Sequence, residues 1–155
     1  MADGLSGPHV AAAFLCERVL QERDMVPSFI RVVDRFLVPV MPKLPPGMQL
    51  QMQPPTLQVT LVISLKAGTL GGGSYNIPVK IHKPDGSEMS ETVVPVFFNG
   101  SDDNGVLAGS PLAVVSPEQG LYWIDVYFEE SLLTRIPMRV LHQQVALPIQ
   151  PEKGQ

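Results

Sequence analysis

From residue 56 to residue 66 the apolar residues Leu57, Val59, Leu61, Ile63 and Leu65 occupy one phase of a two-residue period, and Thr56, Gln58, Thr60, Ser64 and Lys66 occupy the other. Successive side chains of an extended chain point to opposite faces, so this period specifies a strand with one buried face. The same period recurs in Tyr75, Ile77, Val79 and Ile81, which alternate with Asn76, Pro78, Lys80 and His82, and again in Thr92, Val94, Val96 and Phe98. Residues 106–108 and 112–115 read as two short apolar pieces split by Gly109-Ser110-Pro111. Pro84-Asp85-Gly86 and the glycines of residues 67–74 supply turns. Repeated short strands with Gly and Pro punctuation and no convincing long helix specify an all-β sandwich of seven to eight mostly antiparallel strands.

The end of the chain carries the most information. Tyr122, Ile124, Val126 and Phe128 are apolar, as are Leu132, Ile136, Met138 and Val140 after the turn Glu129-Glu130-Ser131, so two strands of a hairpin share one buried face. Trp123, Asp125, Tyr127, Arg135, Pro137 and Arg139 form the other face. Pro137 has no N–H to donate, which places the last strand at a sheet edge or turns that position outward.

Residues 11–20 and 27–38 are apolar runs joined by Gln21-Glu22-Arg23-Asp24. Ala11, Ala12, Ala13, Leu15 and Leu20 keep a helix open for the first. The β-rich second run and the short connection favour a hairpin. Residues 39–55 are rich in Pro and Met and read as a stiff crossover with room for a short edge strand over residues 48–53. The expected organisation is a flexible leader at 1–8, one sandwich domain at 9–142 and a Pro-containing flexible tail at 143–155.

A chain of 155 residues can bury about 68–70% of its unfolded surface without covalent staples, and its single Cys allows no internal disulfide. No basic stretch precedes the apolar residues 10–16, and no run reaches membrane-spanning length, so the expected compartment is the cytoplasm. Eleven Lys and Arg against fifteen Asp and Glu, without a basic cluster, argue against nucleic acid. Charged residues make up 17% of the chain and apolar ones 45%, a balance that favours burying surface against a protein partner or a second copy.

Two resemblances follow. Glu118-Gln119-Gly120-Leu121-Tyr122-Trp123-Ile124-Asp125-Val126 resembles the tyrosine corner of immunoglobulin-like domains, which implies that Tyr122 bonds back to the chain just upstream and that the sandwich is immunoglobulin-like. Ile124 stands where the second disulfide Cys of an antibody domain would be, which excludes that subtype. More broadly, Phe14-Leu15-Cys16-Glu17-Arg18-Val19, Phe29-Ile30-Arg31-Val32-Val33-Asp34-Arg35, Lys83-Pro84-Asp85-Gly86 and Gly120-Leu121-Tyr122 resemble an uncharacterised bacterial family of small cytoplasmic β-sandwich proteins. That resemblance implies fold and prokaryotic origin rather than an activity.

Chemistry-bearing patterns are weak. Residues 68–74 lack the Gly-Lys-Ser/Thr ending of a phosphate loop and read as a connector. Ser101-Asp102-Asp103-Asn104-Gly105 is oxygen-rich but matches no calcium loop, and a cation there would need help from Asp85 or Glu88. Cys16, His9, His82 and His142 have no ligand spacing. The expectation is a protein without catalytic residues, cofactor or metal that acts by protein binding or oligomer assembly, with a carbohydrate- or cation-binding module as the alternative. The interaction residues singled out are Trp123, Asp125, Tyr127, Arg135 and Arg139, because aromatic and Arg side chains dominate binding hot spots. Met41 and Met48 join them as adaptable apolar surface in the crossover, with its overlapping PxxP spacings and Met52.

Overall fold

The computed structural model describes residues 7–47, 53–101 and 105–146. Among them are nine strands: β1 (His9–Gln21), β2 (Pro27–Val32), β3 (Arg35–Val40), β4 (Thr56–Lys66), β5 (Gly73–His82), β6 (Glu88–Phe98), β7 (Gly105–Val115), β8 (Gly120–Phe128) and β9 (Ser131–Gln144). They form a four-stranded sheet, β2-β1-β4-β7, and a five-stranded sheet, β3-β9-β8-β5-β6. All pairs are antiparallel except β3 with β9. The alternating apolar residues of both sheets meet in one core, where Leu61, Leu65, Ile77, Val79, Ile124, Val126 and Val140 are fully enclosed. The chain is a β-sandwich with immunoglobulin-like strand order, β1-β4-β7 facing β9-β8-β5.

The strand count exceeds the expected seven to eight because the second apolar run is two strands in different sheets. After β2 has paired with β1, the chain crosses the open side of the sandwich at Val33 and Asp34. The Val33 N–H donates to the Leu15 carbonyl in one sheet, and the Asp34 carbonyl accepts from the Arg139 N–H in the other. Beyond this strap β3 runs parallel to β9 from Arg35 opposite Arg139 to Val40 opposite Gln144. In the opposite sense, the two expected pieces of residues 106–115 are one continuous strand, β7. Its place at a sheet edge accommodates Pro111, since one side of an edge strand has no ladder to feed.

The other strand prolines obey the same rule. Pro39 is in edge strand β3 and Pro95 in edge strand β6. β9 is internal, so Pro137 does not mark an edge, but β3 reaches only from Arg139 onward and leaves that flank open. Pro78 pairs with Val93 of β6 at a point where the β8 pairing has already ended.

One expected core residue is misplaced. Leu132 is 48% exposed, and Leu133 packs against the core instead. Val126 pairs with Thr134 and Tyr127 with Leu132, so Leu133 is an extra residue in β9. A bulge of this kind reverses the inward and outward phase of everything beyond it.

Tyr122 is buried in the core, and its hydroxyl accepts the Glu118 N–H at 2.8 Å. Burial pushes its phenol pKa up. Just before it, Gly120 has φ +144°, and a Cβ there would lie 2.7 Å from the Pro84 ring. The Lys83–Gly86 turn thus closes onto the backbone at the start of β8, with room only for hydrogen. Gly120→Ala is expected to lower the unfolding free energy by roughly 2–4 kcal/mol, from strain and collision together, in a urea titration.

Candidate functional site

The outward face of the five-stranded sheet is a grid whose rows are set by strand register. One row runs Arg35, Arg139, Leu121; the next Pro137, Trp123, His82; the next Arg135, Asp125, Lys80, Glu91. Each row joins residues far apart in sequence because paired positions share a face.

Asp125 is the anomaly in this grid. It lies on the outward side of the sheet yet has no exposed surface. Its carboxylate accepts two hydrogen bonds from the Arg135 guanidinium, Nε to Oδ1 at 2.7 Å and a terminal nitrogen to Oδ2 at 2.8 Å. This bidentate geometry is the strong form of a charged hydrogen bond. It holds the Asp125 carboxyl below the usual carboxylate range against the opposing effect of burial. The His82 Nε2 approaches Oδ2 at 3.3 Å, within ion-pair distance, but its orientation makes no hydrogen bond.

Arg135 in turn lies over the Trp123 ring, 5.5 Å from its centroid. On the other side of Asp125, Lys80 stands 5.8 Å over the Tyr127 ring and pairs with Glu88 at 3.4 Å and Glu91 at 3.6 Å. Each aromatic ring is therefore roofed by a cation, and each of these cations is held by carboxylates. Trp123 and Tyr127 are half-buried beside these neighbours, and among the described residues no other strand lies over the face.

The structure thus brings Trp123, Asp125, Tyr127 and Arg135 into one cluster. Arg139 stands two rows away on the same face, beside Arg35. Met41 is elsewhere, in an apolar recess with Pro39, Pro54, Pro55 and Val145. Met48 and Met52 lie outside the described residues, as do Asp102, Asp103, Asn104 and nearly all of the strand expected over residues 48–53. Lys80, His82 and Arg35 were missed as site residues. The outward phase of Lys80 and His82 on their strand was visible in the sequence, whereas nothing in it pointed to Arg35.

The remaining candidates are occupied elsewhere. Cys16 is enclosed, and burial pushes its thiol up. The His142 ring nitrogen contacts the Pro117 carbonyl at 2.7 Å. The Asp85 carboxylate accepts from both the N–H and the hydroxyl of Ser87 and so closes its own turn, with its pKa lowered by those bonds. Among the described residues no group of three His, Cys, Asp or Glu side chains could hold a metal ion. No helix there is long and apolar enough to cross a membrane.

No family model matches the chain, and no curated protein matches it either. Among solved structures it is similar to an immunoglobulin-like protein from Pseudomonas aeruginosa, at 13% identity and a TM-score of 0.38, over 86% of this chain and 96% of that one. It is also similar to part of a proposed β-galactosidase from Bacteroides fragilis, at 11% identity and a TM-score of 0.41. That match covers 59% of this chain and spans 15% of the length of the other. At these scores neither likeness bears on function.

The Asp125 pair has a signature in pH. A carboxylate whose folded-state pKa is depressed contributes stability above its unfolded value of about 3.9, and the contribution is lost as pH falls through the folded-state pKa. Asp125→Asn is expected to be roughly 1–3 kcal/mol less stable than the wild type at pH 7. The two stability curves should converge below about pH 4. Asp85 has the same sign in both proteins, so the difference between denaturant titrations at pH 7 and pH 3 isolates Asp125.

Proposed function

We propose that this chain is a non-catalytic, cytoplasmic β-sandwich module of bacterial origin that works by binding protein, with a second copy of itself among the eligible partners. The observation that carries the proposal is the outward face of β8 and β9, where Trp123, Tyr127 and Arg135 are fixed on a rigid sheet around a buried carboxylate and left half-open. Prearranged aromatic and Arg side chains lose little conformational freedom on binding, which is how a small surface becomes a hot spot. The sparse charge of the chain supports the same reading.

A non-catalytic role is favoured because the Asp125 carboxylate is taken up by Arg135 and the Lys80 ammonium by Glu88 and Glu91. Sugar stacking is the weaker alternative, since Arg135 and Lys80 already lie over the two rings. A cation site is weaker still, because Asp85 and Glu88 have partners of their own. The absence of a basic cluster keeps nucleic acid outside the proposal, and nothing in it requires a membrane or a cofactor.

The test is affinity capture from the native host followed by mass spectrometry. The bait is the full chain, compared with Trp123→Ala plus Tyr127→Ala on this face and Gln58→Ala on the other sheet. Arg135 is left intact because removing it would strand a buried charge. The aromatic double variant should recover at least roughly tenfold less of a specific protein than the Gln58→Ala control, the loss expected for hot-spot truncation. Equal recovery by both variants refutes the interaction face.

A further inference from the structure

Arg35 and Arg139 are directly paired across the parallel β3–β9 ladder. Strands so paired lie about 4.8 Å apart, and paired side chains share a face, so two guanidinium groups leave the sheet side by side. Like charges placed opposite one another are destabilising unless an anion sits between them. Both residues are exposed, and among the described residues neither forms an ion pair. Asp34 borders the same recess of about 240 Å³, but its carboxylate lies beyond ion-pair reach of both. The other cations of the face are neutralised, Arg135 by Asp125 and Lys80 by Glu88 and Glu91. In a chain of net charge −4 this pair is a local excess and not part of a general basicity. Leu121 and Pro137 complete the recess, and Trp123 is the neighbour of Pro137 in the next row.

We propose that Arg35 and Arg139 form a carboxylate-binding site, and that the protein partner of this face presents an acidic segment whose Asp or Glu bridges the two guanidinium groups while an adjacent apolar side chain rests on Leu121 and Pro137. Two planar guanidinium forks suit a carboxylate, which accepts two hydrogen bonds from each side. The apolar rim lowers the local dielectric and strengthens the pairing. The site rests on the protein-binding reading of the same face and specifies the chemistry of the partner.

The probe is a fluorescently labelled peptide of alternating Glu and Leu, titrated into the full chain and followed by anisotropy. Trp123 is the single tryptophan of the chain, so its emission reports binding at this face independently. The Glu peptide should bind, shift the Trp123 emission and weaken as salt is raised. Arg35→Gln and Arg139→Gln should each weaken it at least roughly tenfold, the loss of one charged hydrogen-bond pair. Arg23→Gln, in the turn between β1 and β2, should bind as the wild type does. Failure of the wild type to bind, equal binding of a Gln-for-Glu copy, or wild-type affinity in both Arg variants overturns the site. Tighter binding of a phosphoserine copy overturns the assignment to carboxylate. If the Glu peptide fails while the Trp123→Ala plus Tyr127→Ala bait still loses its captured protein, the carboxylate site falls and the interaction face stands. If the Glu peptide behaves as expected while that bait loses nothing, the site stands and the protein-binding reading falls.

Discussion

A carboxylate without access to water, on the outward side of a sheet, is the constraint around which one face of this molecule is arranged. An unpaired Asp125 in that position would cost far more than a small domain can spare, so it requires a partner of fixed geometry. Arg135, directly opposite on β9, supplies a two-point clamp. The clamp fixes the guanidinium plane, and that plane lies over Trp123. From one buried charge follow the posture of an Arg and an aromatic residue, the half-burial of Trp123, and a surface already ordered before anything binds.

The second organising feature is the strap at Val33 and Asp34. By bonding once to each sheet it commits the first half of the N-terminal run to one layer and β3 to the other. β3 then lies parallel to the last strand, a pairing that joins the beginning of the chain to its end. The strand prolines fit because each occupies an edge or a flank where a neighbour has stopped. The same placement leaves Arg35 and Arg139 adjacent with their charge uncompensated among the described residues. Fold closure and the candidate carboxylate site therefore share one structural origin.

Sequence periodicity was reliable where a strand has one buried face along its whole length. β5 shows this, since Ile77, Val79 and Ile81 are all enclosed as the alternation requires, whereas in β4 Val62 of the opposite phase is buried as well. It failed at Leu132, because a single extra residue in β9 shifts the phase and no composition signal marks a bulge. It also failed at residues 106–115, where Gly109 and Pro111 look like a break but sit in an edge strand that tolerates both. The Trp123, Asp125, Tyr127 and Arg135 grouping was legible because one hairpin carries all four. That Asp125 is enclosed rather than exposed was not, since its cover comes partly from His82 on β5.

The sequence by itself determined the all-β class, most strand positions and the two faces of the terminal hairpin, because a two-residue period is a local property of an extended chain. Tertiary structure alone decided how the strands are shared between sheets, which prolines find an open flank, and that Arg35 stands beside Arg139. Those depend on pairings between segments separated by up to about a hundred residues, where the contact is set by the strap at Val33 and Asp34 and by the closing of one core. Local pattern carries no information about such distant register.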